Sequence, residues 1–205
     1  MVTNIAHRFC LALLLMAGGS WAAQDRPIGQ TLLIDDFQSG TGQAVFGTSW
    51  SGFSDRVMGG RSEINLAYQR LSDTSLSLRL SGPVRLDNNG GFIQARLPLE
   101  QSGQRFDASG WSGIEVTARA APGAYYVHLR SRATWLPWQY YSAQIGFNDA
   151  ERWQTHRIPF ELFQAEATRS VLDVSSLKSV AIVAYGEAFD ADIELKRLSF
   201  YREED

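Results

Sequence analysis

Arginine, histidine and aromatic side chains capable of recognition chemistry concentrate in three stretches of this sequence: residues 92–97, 125–132 and 135–141. Side chains alternate along an extended strand. In the second stretch, Tyr126, His128, Arg130 and Arg132 therefore share one face, opposite Tyr125, Val127, Leu129 and Ser131. In the first, Phe92, Gln94 and Arg96 share a face opposite Ile93, Ala95 and Leu97. If Arg96 and Arg130 belong to one sheet, with Trp135, Trp138 and Tyr140 at its rim, they form a shallow cleft of stacking surfaces and forked donors. Sugars and peptide segments both bind such surfaces, through apolar faces and bidentate hydrogen bonds. The competing reading is a solvated sheet face with structural aromatics. The candidate ligand- or partner-binding residues are Arg96, Arg130, Trp138, Tyr140 and His128.

Catalytic signatures are poor by comparison. Gly40-Thr41-Gly42 is followed by Gly47 and opens no helix, so it reads as a loop and not as a dinucleotide fingerprint. His128 and His156 on separate strands could join a carboxylate around a metal, but hydrogen-bonded strand histidines are the commoner case. Asp55, Glu115 and Glu187 are acids that a hydrolase would need in pairs, and the sequence places no two of them at catalytic separation. The reading is that of a protein that is not an enzyme. Asp35-Asp36, with Glu187, Asp190, Asp192 and Glu194, form an acidic set whose oxygen atoms would suit a structural calcium. Edge protection of an exposed terminal strand explains the same alternation. No other cofactor is expected.

The elements that position these groups are strands. Leu76, Leu78 and Leu80 alternate with Ser75, Ser77 and Arg79, and Ile114, Val116 and Ala118 alternate with Glu115, Thr117 and Arg119. Residues 180–185 are apolar on both phases, which predicts a central strand buried on both faces. Ile193 and Leu195 switch phase to Leu198 and Phe200, which predicts a bulge near Lys196. Only residues 161–169 look briefly helical. Turn clusters at residues 39–40, 87–91, 121–123 and 148–149 give the rhythm of an antiparallel β-sandwich or jelly roll with almost no helix.

Two of the turns carry paired glycines: Ser54-Asp55-Arg56-Val57-Met58-Gly59-Gly60, and Asn88-Asn89-Gly90-Gly91-Phe92. Glycine accepts positive φ or lets another group approach closely, so both segments read as tight polar turns. Asp55 and Asn88 or Asn89 are the expected caps for their backbone donors. Together the segments resemble the S-D-x-x-M-G-G and N-N-G-G-F motifs of the complex I intermediate-associated protein family. The strand at residues 113–116, Leu129-Arg130, Trp138-Gln139-Tyr140-Tyr141, the run from Trp153 to Phe160 and Ile193-Glu194 are similar as well. The resemblance covers roughly residues 31–201. It implies a galactose-binding-like β-sandwich and assistance to respiratory complex I assembly, with no catalytic mechanism.

Residues 1–22 read as a cleaved signal peptide: Arg8 supplies the positive charge, an apolar run follows, and Ser20-Trp21-Ala22 offers small residues at the cleavage-reading positions. The apolar run falls well short of the roughly 20 residues of a membrane-spanning helix. Residues 23–205 then form a single domain without stable membrane span, periplasmic or secreted. Cleavage removes Cys10, the sole cysteine, and with it thiol catalysis, disulfides and thiolate metal sites. A formal net charge of −3 argues against nucleic acid as partner. The expected role is a binding module that assists assembly or folding of a membrane or envelope protein complex. The alternative is a periplasmic carbohydrate-binding module.

Overall fold

Alternation of apolar and polar residues produces twelve strands, and the computed structural model describes residues 29–39, 41–72 and 75–203. The expected signal segment lies outside the described residues. The strands are β1 (Thr31–Asp35), β2 (Ser51–Ser54), β3 (Asn65–Ser72), β4 (Ser75–Val84), β5 (Phe92–Pro98) and β6 (Gly113–Ala120). They continue with β7 (Tyr125–Ser131), β8 (Tyr140–Ile145), β9 (Gln154–Pro159), β10 (Gln164–Glu166), β11 (Leu177–Tyr185) and β12 (Phe189–Tyr201). Helix among the described residues is confined to short 3-10 turns.

Two antiparallel six-stranded sheets result. The first runs β3-β4-β12-β6-β9, with β1 also paired to β12; the second runs β10-β8-β7-β11-β5-β2. Leu78, Leu80, Ile114, Val116, Ile193, Leu195, Leu198 and Phe200 of the first sheet face Ile93, Leu97, Val127, Leu129, Val180 and Ile182 of the second, all fully buried in one apolar core. Each such aliphatic side chain costs about 2–5 kcal/mol when cut back to alanine. Tyr125 spans the layers: its hydroxyl donates to the Asp192 carbonyl at 3.3 Å and accepts from the Asp192 amide at 3.0 Å. Burial pushes that phenol up to about 12.

The expected bulge in the last strand is present. The β12–β6 register shifts between Leu195 and Arg197, so residues on both sides of Lys196 keep their apolar side chains inward. The two-sided strand is β11, which lies between β7 and β5. Two expectations are corrected. Residues 161–169 form no α-helix: a 3-10 turn at Phe160–Leu162 leads into the short edge strand β10, paired with β8. The acidic strand is no exposed edge either, because β12 is flanked by β4 and β6. Its acids meet arginines across the ladders, Arg79 with Asp192 at 2.5 Å and Arg119 with Glu194 at 2.6 Å.

Candidate binding site

The outward face of the second sheet is assembled by register. Arg96 on β5 lies opposite Ala181 on β11, Ala181 opposite His128 on β7, and His128 opposite Ser142 on β8. Small Ala181 leaves space between two large polar groups. One row along, Gln94, Val183, Tyr126 and Gln144 follow one another. The His128 ring stacks on Tyr140, with centroids 4.1 Å apart and planes 13° from parallel. Tyr126 and Tyr185 extend this lining, their rings edge to face at 6.0 Å.

The protonation states follow from burial. Desolvation pushes His128 down to about 3, so its imidazole is neutral at physiological pH. Burial and the neighbouring Tyr185 hydroxyl hold the Tyr140 phenol far above its ordinary range. Arg130 is shifted down by burial and then by the Arg96 charge. The Nε atoms of Arg96 and Arg130 and Nε2 of His128 are shielded from solvent and have no hydrogen-bond partner. Buried donors without partners cost about 1–3 kcal/mol each, so this face is under-satisfied on its own.

At the β5–β11 end the face opens into a groove of about 620 Å³, lined by Arg96, Arg105, Arg130, Lys178, Ser179 and Glu100 among others. A loop at residues 132–139 is held beside it by two of the groove residues. Arg130 donates to the carbonyls of Leu136 at 2.8 Å and Thr134 at 3.3 Å. Lys178 donates to Thr134 at 2.7 Å. Gln139 accepts from the Trp135 and Leu136 amides and donates to the Ala167 carbonyl. Held in this way, the loop presents Trp135 and Trp138 to solvent at 81% and 55% exposure.

The structure therefore brings Arg96, His128, Arg130 and Tyr140 onto one face, while Trp138 stands on the loop beside it. Arg132 lies beyond the end of β7 and pairs with Asp173 at 3.5 Å. His156 is on β9 of the opposite sheet, against Phe147. Among the described residues no group of three metal-ligating side chains converges. Glu115 is engaged by Arg157 at 2.8 Å.

The paired-glycine turns meet at the far end of β5. The Asp55 carboxylate accepts from the Ser62 amide at 2.9 Å, the Ser62 hydroxyl at 2.5 Å and the Gly91 amide at 2.6 Å. A Cβ at Gly60 or Gly90 would collide with that carboxylate, whereas Gly59 has open space and φ 89°. Asn88 donates to the Gly59 carbonyl at 3.1 Å, tying one turn to the other, and the Asn89 side chain lies outside the described residues. Sequence reasoning missed Tyr185 on the aromatic face and Lys178 and Arg105 in the groove. Tyr185 sits in the strand read only as core, and the other two come from a bulge and a loop without periodicity.

A sequence model of the family described as Complex I intermediate-associated protein 30 matches residues 36–195. The chain belongs to this family. No curated protein matches the CIA30 chain. Its fold is shared with solved carbohydrate-binding modules of Clostridium thermocellum. The family 11 module of a cellulosomal cellulase is 15% identical with TM-score 0.65, covering 85% of this chain and 96% of the module. The same family 11 module in complex with a β-1,3-1,4-mixed-linked tetrasaccharide gives 15% identity and TM-score 0.62, covering 86% and 98%. A family 30 module gives 14% identity and TM-score 0.56, covering 76% and 92%. Among the described residues of this CIA30 chain no helix is long and apolar enough to cross a membrane.

Proposed function

We propose that this protein is an exported, non-catalytic binding module that holds a glycan chain across the outward face of the second sheet. The observation that carries this reading is the stacked His128–Tyr140 pair, continued by Tyr126 and Tyr185 and bordered by Arg96 and Arg130. Aromatic faces receive the C–H faces of pyranose rings, and guanidinium forks suit hydroxyl groups. The likeness of fold to a module solved with a tetrasaccharide supports it. Calorimetric titration of the protein lacking residues 1–22 with oligosaccharides of different backbone tests the reading. Tyr140→Ala and Tyr185→Ala should each weaken binding at least tenfold while leaving the fold intact. Unaltered affinity in both variants would remove this face as the site.

A second reading is favoured by the family description and by the loop beside the groove. Trp135, Leu136 and Trp138 are exposed there on a well-anchored loop, and exposed tryptophan is the type of residue that anchors a protein client. In that reading the protein assists assembly of a membrane or envelope complex. Capture of one protein client, lost on Trp135→Ala with Trp138→Ala and independent of Tyr140 and Tyr185, would establish it over the first.

A further inference from the structure

The two sheet faces treat arginine differently. On the first sheet Arg79, Arg119 and Arg157 each face a carboxylate, at 2.5, 2.6 and 2.8 Å. On the second, Arg96 and Arg130 form no ion pair among the described residues, and Arg96 instead lies over the Phe53 ring at 4.7 Å. Arg105 and Lys178 line the same groove, so four cationic side chains share it with one carboxylate, Glu100. Lys178 already spends one proton on the Thr134 carbonyl, and Arg105 holds the carbonyls of Gly103 and Gln104, yet the single carboxylate of Glu100 leaves the group with an excess of positive charge.

Resting on the glycan reading above, we propose that this end of the groove is a subsite for an acidic sugar, one whose carboxylate or sulfate is held by Arg96, Arg105, Arg130 and Lys178. Like charges gathered at a half-buried site repel one another, and a neutral hydroxyl does nothing to relieve that. An anion does, through charge-assisted and bidentate bonds that are about twice as strong as neutral ones. Burial lowers the pKa of Lys178, and the charges of Arg105 and Arg130 lower it further, which is the same repulsion seen from one of its members. The local excess of cations stands out in a chain whose formal net charge is −3. The tyrosine lining that continues from the cationic end orients the remaining sugar rings, which favours a saccharide over an acidic peptide.

The test is calorimetric titration of the protein lacking residues 1–22 with four probes of equal length: an oligogalacturonate, a sulfated galactan oligosaccharide, a neutral mixed-linked glucan oligosaccharide and a poly-glutamate peptide. Low and high salt are compared. Binding of an acidic saccharide at least tenfold tighter than the neutral one, weakened by salt, is expected; whichever acidic probe binds identifies carboxylate or sulfate. Arg105→Gln should weaken the acidic ligand several-fold and leave the neutral one unchanged, and Arg96→Gln should weaken the acidic ligand several-fold more than the neutral one. Arg105 is exposed, so its variant tests the idea even if Arg96→Gln folds poorly. Equal affinity for neutral and acidic saccharides, or no effect of either variant, overturns the subsite and leaves the glycan reading standing. Tightest binding of poly-glutamate, or binding of none of the saccharides, overturns both.

Discussion

At the scale of single residues, Asp55 is buried with its charge met by hydrogen-bond donors and, among the described residues, by no ion pair. Burial by itself would raise its pKa; the Ser62 hydroxyl and the amides of Gly91, Ser62 and Phe92 outweigh that and hold it below the usual carboxylate range. Asp55→Ala strands those donors in the interior and should cost about 3–5 kcal/mol in denaturant melts. Gly60→Ala and Gly90→Ala should cost about 1–3 kcal/mol through collision with the carboxylate. Gly59→Ala should cost about 1 kcal/mol, the left-handed backbone alone. Acid acts on two residues in different windows. Asp55 contributes stability above its unfolded pKa, and that contribution disappears as pH falls through its depressed folded value. His128, neutral when folded and pushed down to about 3, binds a proton more readily unfolded. Stability should therefore fall from about pH 6.5 downward, by about 1.4 kcal/mol per pH unit until the folded value is reached. His128→Phe, which keeps a ring against Tyr140, should flatten the melting-point profile between pH 6 and pH 4. An unchanged slope would show that the imidazole already has a proton acceptor.

Among the elements, β12 shows why some of the architecture was legible and some was not. Its change of phase between Leu195 and Leu198 is written in the residue types, because only an extra residue lets Ile193, Leu195, Leu198 and Phe200 all point inward. Deleting Lys196 removes the extra residue and leaves Ile193, Leu195, Leu198 and Phe200 on one regular alternation with their β6 partners unchanged, so the shortened chain should keep a cooperative thermal transition; its loss would show that the bulge itself is required. Residues 161–169 were harder to read, since the apolar pattern there belongs to a 3-10 turn and an edge strand three residues long. The groove was half legible: alternation puts Arg96 on one phase of β5 and His128 with Arg130 on one phase of β7. That Arg96 and His128 flank Ala181 depends on pairing between strands far apart in sequence, and alternation within a strand carries no such information. The acids of β12 looked like edge protection for the same reason, since their arginine partners Arg79 and Arg119 lie 113 and 75 residues away.

For the molecule as a whole, the position of β12 has a kinetic consequence. Residues 189–201 form the strand to which β1, β4 and β6 all pair, and the β1 ladder joins Thr31 to Tyr201. Until that segment is available, β1 has no partner, β4 has only β3, and β6 has only β9. A chain emerging from its N-terminus therefore carries open strand edges for most of its synthesis and closes its first sheet late. Ladders of such long sequence separation make folding slow, on the order of milliseconds to seconds. A chain stopped at residue 188 should be digested by protease throughout, while one extending to residue 203 should be resistant; early resistance of the shorter chain would mean that the second sheet folds by itself. Late closure keeps the polypeptide extended, the form in which a chain can be threaded across a membrane before it folds.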